Sequence, residues 1–134
     1  EKEYKEAIRI NPDDTESHKS LGVLLTKLKR YEEAEKEYKE AIRINPDDTE
    51  SHFNFGILLT ELKRYEEAEK EYREVIRINP DDAEAHYNLG FLYYVQKDYN
   101  KALQEFEIAL KLSPNNQDIQ YKIKLLRQMI LKER

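Results

Sequence analysis

Three histidines, His18, His52 and His86, recur at equal intervals along the chain. Imidazole is both a zinc ligand and a general base, so this ladder is the first chemistry to weigh. Neighbouring packed helices lie ~8–10 Å apart, whereas zinc draws its ligand nitrogens to ~2 Å. No carboxylate or second histidine repeats three or four residues after all three of them. The histidines are therefore expected to pack at a helix interface and not to hold a metal. Other catalytic chemistry has little footing. The chain has no cysteine, and its three glycines, Gly22, Gly56 and Gly90, keep the same wide interval and form no phosphate-cradling loop. Its many carboxylates, charge runs such as Glu32–Glu37 and Glu66–Glu71 among them, read as solvated helix surface with no reason to develop shifted pKa values. The expectation is a protein that is not an enzyme and needs no cofactor.

The composition bounds the partners. The 23 basic and 28 acidic residues leave a net charge of −5, which argues against nucleic-acid binding by bulk positive charge. No apolar run approaches the ~18 residues of a membrane span, and no signal-peptide pattern opens the chain. A cytoplasmic protein is expected. Only 39% of residues are hydrophobic, which is low for a compact globular domain.

The elements follow from the period. Asn11-Pro12-Asp13-Asp14 recurs as Asn45-Pro46-Asp47-Asp48 and Asn79-Pro80-Asp81-Asp82, and more loosely as Ser113-Pro114-Asn115-Asn116, always at the interval of the histidines. Residues 1–18 and 35–52 are identical, and all four prolines and three glycines keep the period. Each unit reads as two helices, because proline closes one helix and bends the chain before the next. Asp13 with Glu16, Asp47 with Glu50, and Asp81 with Glu84 have the spacing of a capping box. In the middle unit a first helix, A, is predicted over about 49–62, with Phe55, Leu58, Leu59 and Leu62 on one face. A Lys63-Arg64 turn and a second helix, B, over about 65–78 follow, with Tyr65, Ala68, Tyr72, Val75 and Ile76 on one face. The mid-helix glycines cost about 1 kcal/mol each relative to alanine. Repetition of that cost implies a close approach of helix B, with Ala34, Ala68 and Ala102 expected to meet them.

This pattern resembles the tetratricopeptide repeat, a family with the period that separates Pro12 from Pro46 and Pro46 from Pro80. The signature positions hold Leu21-Gly22, Leu25, Ala34, Tyr38, Ala41 and Pro46; Phe55-Gly56, Leu59, Ala68, Tyr72, Val75 and Pro80; and Leu89-Gly90, Tyr93, Ala102, Phe106, Ala109 and Pro114. Departures are the histidines, where a tryptophan is common, and Lys29, Lys63 and Lys97, where the turn is commonly glycine. The resemblance implies an all-α solenoid of stacked antiparallel helix pairs wound into a right-handed superhelix. It divides the chain into 1–14 (the end of a helix B), repeats 15–48, 49–82 and 83–116, and a C-terminal capping helix over 117–134. The start at mid-hairpin reads as a fragment of a longer array.

The resemblance also implies a concave groove lined by the A helices. On this chain those positions include Lys19, Phe53, Asn54, Ile57, Tyr87, Asn88, Phe91 and Tyr94, with Asp118, Tyr121, Lys122, Leu125, Gln128 and Met129 on the last helix. Repeats 15–48 and 49–82 differ at only seven positions, and four of these, Lys19/Phe53, Ser20/Asn54, Val23/Ile57 and Lys27/Glu61, are groove positions. The aromatic stripe exceeds what the buried faces need, as expected of a contact surface. Asn54 and Asn88 are candidate holders of a peptide backbone, because an amide both donates and accepts. They are similar to the asparagine ladder of O-linked N-acetylglucosamine transferases. The carboxylate clamp of chaperone cofactors matches only at Lys19 and Asn54. Val23, Glu84 and Asn88 stand where asparagine, lysine and arginine would be needed.

The leading expectation is thus a non-catalytic interaction scaffold that holds a protein or peptide segment in its groove, with no nucleic acid or membrane as partner. Two alternatives stand beside it. Apolar faces within 1–10 and 118–131 suit a self-associating or spacer solenoid, and the array suits a targeting arm of a larger protein, enzymatic or not.

Overall fold

A computed structural model describes residues 1–133, which form α-helices joined by short turns. The helices are α1 (Lys2–Ile10), α2 (Thr15–Lys27), α3 (Tyr31–Ile44), α4 (Thr49–Glu61), α5 (Tyr65–Ile78), α6 (Ala83–Val95), α7 (Tyr99–Leu112) and α8 (Gln117–Glu133). No strand occurs among the described residues. The chain forms two compact units, one of residues 1–71 and one from Tyr72 onward, with the boundary inside α5. In the first unit α2 packs against α3, and α1 and α4 pack beside them; in the second α7 packs against both α6 and α8.

The loops follow from their residues. In Asn11-Pro12-Asp13-Asp14 the Asp14 amide donates to the Asn11 carbonyl (3.2 Å), and the Asp13 amide to Asn11 Oδ1 (3.3 Å). Proline at the second position presets such a turn, and asparagine caps it with its own side chain. This geometry corrects the capping-box expectation. Asp13 is spent inside the turn, so the extended residue before each A helix is Asp14, Asp48 or Asp82. Asp82 accepts from the Ala85 amide at 3.1 Å, whereas Asp14 and Asp48 accept from the hydroxyls of Ser17 (2.6 Å) and Ser51 (2.5 Å).

The A-to-B turn is tighter. The Arg30 amide donates to the Leu25 carbonyl (2.9 Å) and the Lys29 amide to that of Thr26 (3.0 Å). This is a Schellman motif, which needs a left-handed residue just after the helix. Lys29, Lys63 and Lys97 supply it, with φ of 61°, 61° and 65°. These are the positions where glycine would be unstrained.

Each unit has its own core. Leu21, Leu25, Ala34, Tyr38, Ala41, Phe55, Leu58 and Leu59 are buried in the first, and Leu89, Leu92, Ala102, Phe106, Ile119, Ile123 and Leu126 in the second. The glycines are explained differently from expectation. A Cβ on Gly22 would sit 2.8 Å from Cε1 of Tyr38, and one on Gly90 3.1 Å from the ring of Phe106. The large aromatic of helix B, and not the small alanine, requires the glycine.

Candidate functional site

The second unit carries the better-formed candidate. Along α6, Leu89, Leu92 and Tyr93 are buried, yet Phe91 and Tyr94 on the other side remain 40% and 41% exposed. Both faces of this helix are therefore apolar, and only one is used by the core. Facing them are Tyr121, 56% exposed, Leu125, 42% exposed, and Met129 of α8. Together they wall a cleft of about 280 Å³. Its floor is Phe106 of α7 with Leu126 of α8, each about 1% exposed.

One end of the cleft is polar. Tyr87 is half-buried, its ring edge-on to Phe106 with centroids 5.4 Å apart. Its hydroxyl donates to Asp118 Oδ2 at 3.0 Å. Lys122 Nζ donates to both oxygens of Asp118, at 2.9 and 3.0 Å, and lies 5.5 Å from the centre of the Tyr87 ring. The Lys122 ammonium, with the Tyr87 hydroxyl second, holds the Asp118 carboxyl below the usual carboxylate range, and Asp118 in turn raises Lys122. This end is fixed and charge-compensated, whereas the opposite end is apolar.

In the first unit the candidate residues are more dispersed. Ile57 is 38% exposed, and Phe53 and Asn54 are half-buried on the same helix. Neither Asn54 nor Asn88 makes a side-chain hydrogen bond among the described residues, so both amides remain able to engage a backbone. Lys19 is placed elsewhere. It is 5% exposed, and its ammonium meets Glu16 (2.8 Å), Glu50 (2.8 Å) and Asp48 (3.4 Å). Desolvation alone would lower its pKa, but hydrogen bonds to Glu16 and Glu50 outweigh it and raise the group. Lys19 thereby ties α2 to the start of α4.

The structure thus brings Phe91 and Tyr94 together, with Tyr87 at the polar end of their cleft. It joins to them Tyr121, Leu125 and Met129, the groove positions of the last helix, and adds the floor residue Phe106. The α8 residues share the repeat register of the α6 ones, which is the signal by which the sequence could rank them higher. Nothing in the sequence marks Phe106 as more than core.

The histidines hold no metal-like cluster; no group of three or more His, Cys, Asp or Glu side chains suited to a metal ion occurs among the described residues. Each is instead bonded within its own hairpin, through Glu37, Glu71 and Glu105 of the following helix.

Comparison with known families agrees with this architecture. Family models described as tetratricopeptide repeat match residues 15–48, 37–70 and 83–116, and one described as TPR repeat matches 56–97. The chain belongs to the tetratricopeptide repeat family. It is an all-α solenoid of helix pairs. No curated protein matches the chain. Among solved structures it is similar to MamA, at a TM-score of 0.87 and 20% identity over 93% of this chain and 73% of that one. It is similar also to the first TPR of Spaghetti (RPAP3) bound to the HSP90 peptide SRMEEVD, at 0.81 and 20% over 87% and 93%. The Arabidopsis OM64 TPR domain aligns at 0.79 and 26% over 86% and 95%. At the lower identities the likeness is one of fold. The two departures noted in the sequence are absorbed by this repeat: lysine takes the left-handed turn, and histidine replaces the large apolar residue by hydrogen bonding. No helix among the described residues is long and apolar enough to cross a membrane.

Proposed function

We propose that this repeat array is a non-catalytic scaffold that holds a segment of a partner protein by its A-helix faces, with the α6–α8 cleft as the main anchor. The observation that carries this reading is the cleft itself. Phe91, Tyr94, Tyr121 and Leu125 stay 40–56% exposed around an apolar depression whose floor is solid core. Exposed apolar patches of this kind mark contact sites. A leucine or phenylalanine side chain buried there contributes about 1.5–3 kcal/mol, enough to make it the anchor of a modest interface. Asn88 on α6 and, in the first unit, Asn54 on α4 are the groups to hold partner backbone. Phe53 and Ile57 give the first unit a smaller apolar patch. The fold neighbour that carries a bound peptide supports the reading by analogy.

The ligand feature engaged is an apolar side chain and not a terminal carboxylate. Lys19, the one cation matching the clamp pattern, is buried and already held by three carboxylates. Glu84, at another clamp position, is exposed and acidic.

The test is selection from a random-peptide library on the parent chain and on a Phe91→Ser, Tyr94→Ser variant. The residues are 40% and 41% exposed, and far-UV circular dichroism checks that the variant keeps its helix content. Enrichment of peptides with a shared large apolar residue on the parent, lost on the variant, is expected. Equal enrichment on both would remove the cleft as the anchor.

A further inference from the structure

A histidine that packs as a neutral side chain needs one donor and one acceptor contact. His18 faces two acceptors and no donor. It is 5% exposed. Its Nε2 faces the Pro12 carbonyl at 2.7 Å, and its Nδ1 faces a carboxylate oxygen of Glu37 at 2.6 Å. A carbonyl oxygen only accepts, so Nε2 carries a proton. A carboxylate at that distance also accepts, so a second proton lies between Nδ1 and Glu37. The neutral ring would set its Nδ1 lone pair against an anion inside the protein, which costs the desolvation of both groups without a bond.

We infer that His18 is an imidazolium in the folded protein and that its proton is a structural part of the first hairpin, making the stability of that hairpin pH-dependent near neutrality. The ring then joins three pieces of chain: the turn through Pro12, α2 through its own backbone, and α3 through Glu37. The charged groups around it act in one direction. Glu37 and Glu40 face it from α3, and Asp14, the residue capping α2, feels its charge from the same helix. All three are acids. Burial opposes the charge most strongly, yet the hydrogen bonds that the ring donates to Glu37 and to the Pro12 carbonyl, with the charges of Glu37 and Glu40, together raise the group above its ordinary value of 6.5.

The arrangement is built in and not incidental. His52 makes the same two contacts in the next hairpin of the first unit, with Nδ1 2.8 Å from Glu71 and Nε2 2.6 Å from the Pro46 carbonyl. His86 repeats them at longer range in the second unit, 2.9 Å from Glu105 and 3.1 Å from the Pro80 carbonyl. The Glu40 register is Ile108 there, so His86 lacks that second glutamate.

A group raised in the folded state stabilises fully below its unfolded pKa of about 6.5, and the contribution is lost as pH rises through the folded value. Folding therefore takes up a proton at His18 around neutral pH.

The experiment is long-range ¹H–¹⁵N correlation spectroscopy of the labelled chain between pH 5.5 and 9, with resonances assigned by His18→Gln. At pH 7 both His18 nitrogens are expected to show protonated shifts, with a titration midpoint above 6.5. Glu37→Gln, which keeps the side-chain shape, is expected to move that midpoint below the parent's and to flatten the fall in urea midpoint between pH 6.5 and 8.5. Glu40→Gln is expected to move it less. A neutral Nε2-protonated ring at pH 7 in the parent would overturn the inference whether or not the variants fold. So would an unchanged midpoint in Glu37→Gln.

Discussion

Gly22→Ala and Gly90→Ala are the same substitution in the same register, yet the structure assigns them different outcomes. Alanine in place of a mid-helix glycine gains about 1 kcal/mol of helix propensity. Against that stands the new methyl group. At Gly22 it would lie 2.8 Å from Cε1 and 3.0 Å from Cδ1 and Cζ of Tyr38. Tyr38 cannot retreat: it is 2% exposed, stacked on Phe55 with centroids 6.0 Å apart, and tied through its hydroxyl to Thr26. Overpacking against such a ring costs about 1–3 kcal/mol, so Gly22→Ala is destabilising by about 1 kcal/mol net. At Gly90 the methyl would lie 3.1 Å from Phe106. Phe106 has no hydroxyl to anchor it, and it forms the floor of the 280 Å³ cleft, into which it can shift by a few tenths of an ångström. There propensity offsets strain, and Gly90→Ala is expected within about 0.5 kcal/mol of the parent. Urea unfolding followed by far-UV circular dichroism reads both, provided the slope is unchanged. If Gly22→Ala were as stable as Gly90→Ala, the ring contact would not be the reason for the glycine.

The remaining predictions are read by the same method. Lys29→Gly and Lys97→Gly relieve left-handed lysines at φ 61° and 65°. Each is expected to stabilise by about 0.5–1 kcal/mol, because the ~1–2 kcal/mol side-chain penalty exceeds the entropy cost of glycine. Lys19→Met keeps the side-chain bulk but leaves Glu16, Glu50 and Asp48 facing one another. Because Glu16 and Glu50 are themselves largely solvated, a loss of about 0.5–1 kcal/mol is expected, and no loss would mean that the ion cluster contributes nothing. Asp82→Ala removes the acceptor for the Ala85 amide, with an expected cost of about 1 kcal/mol.

Periodicity makes the architecture legible in the sequence alone. The turn tetrapeptides place proline where it must end a helix, and the middle helices fall within a residue of expectation, with α4 closing at Glu61 and α5 spanning Tyr65–Ile78. What was not legible depended on packing and backbone geometry that the residue pattern leaves open. Asp13 and Asp14 are both carboxylates, and only the turn's geometry shows that the second caps α2. Tyr38 and Ala34 both lie on the inner face of helix B, and only the packing shows that the ring meets Gly22. Lys63 was readable as a turn residue, but not as one held left-handed. Lys19 was misleading for a different reason. A lysine stem can fold along apolar surface and deliver its charge several ångströms away, so a register that points outward does not fix where the ammonium ends.

Divergence between the repeats differs in kind from one register to the next. Positions 19, 53, 87 and 121 share one register and hold Lys, Phe, Tyr and Tyr. Lys19 is buried among carboxylates, Phe53 and Tyr87 are half-buried, and only Tyr121 is largely open, at 56%. At this register Lys19 is therefore engaged in holding α2 to the start of α4. Positions 23, 57, 91 and 125 hold Val, Ile, Phe and Leu, all apolar. Three of these, Ile57, Phe91 and Leu125, are 38–42% exposed. Side chains that remain apolar while remaining open contribute little to the cores of their own units. Their retention is what a partner's contact would require, so the second register carries the argument for recognition and the first carries mainly the argument for stability.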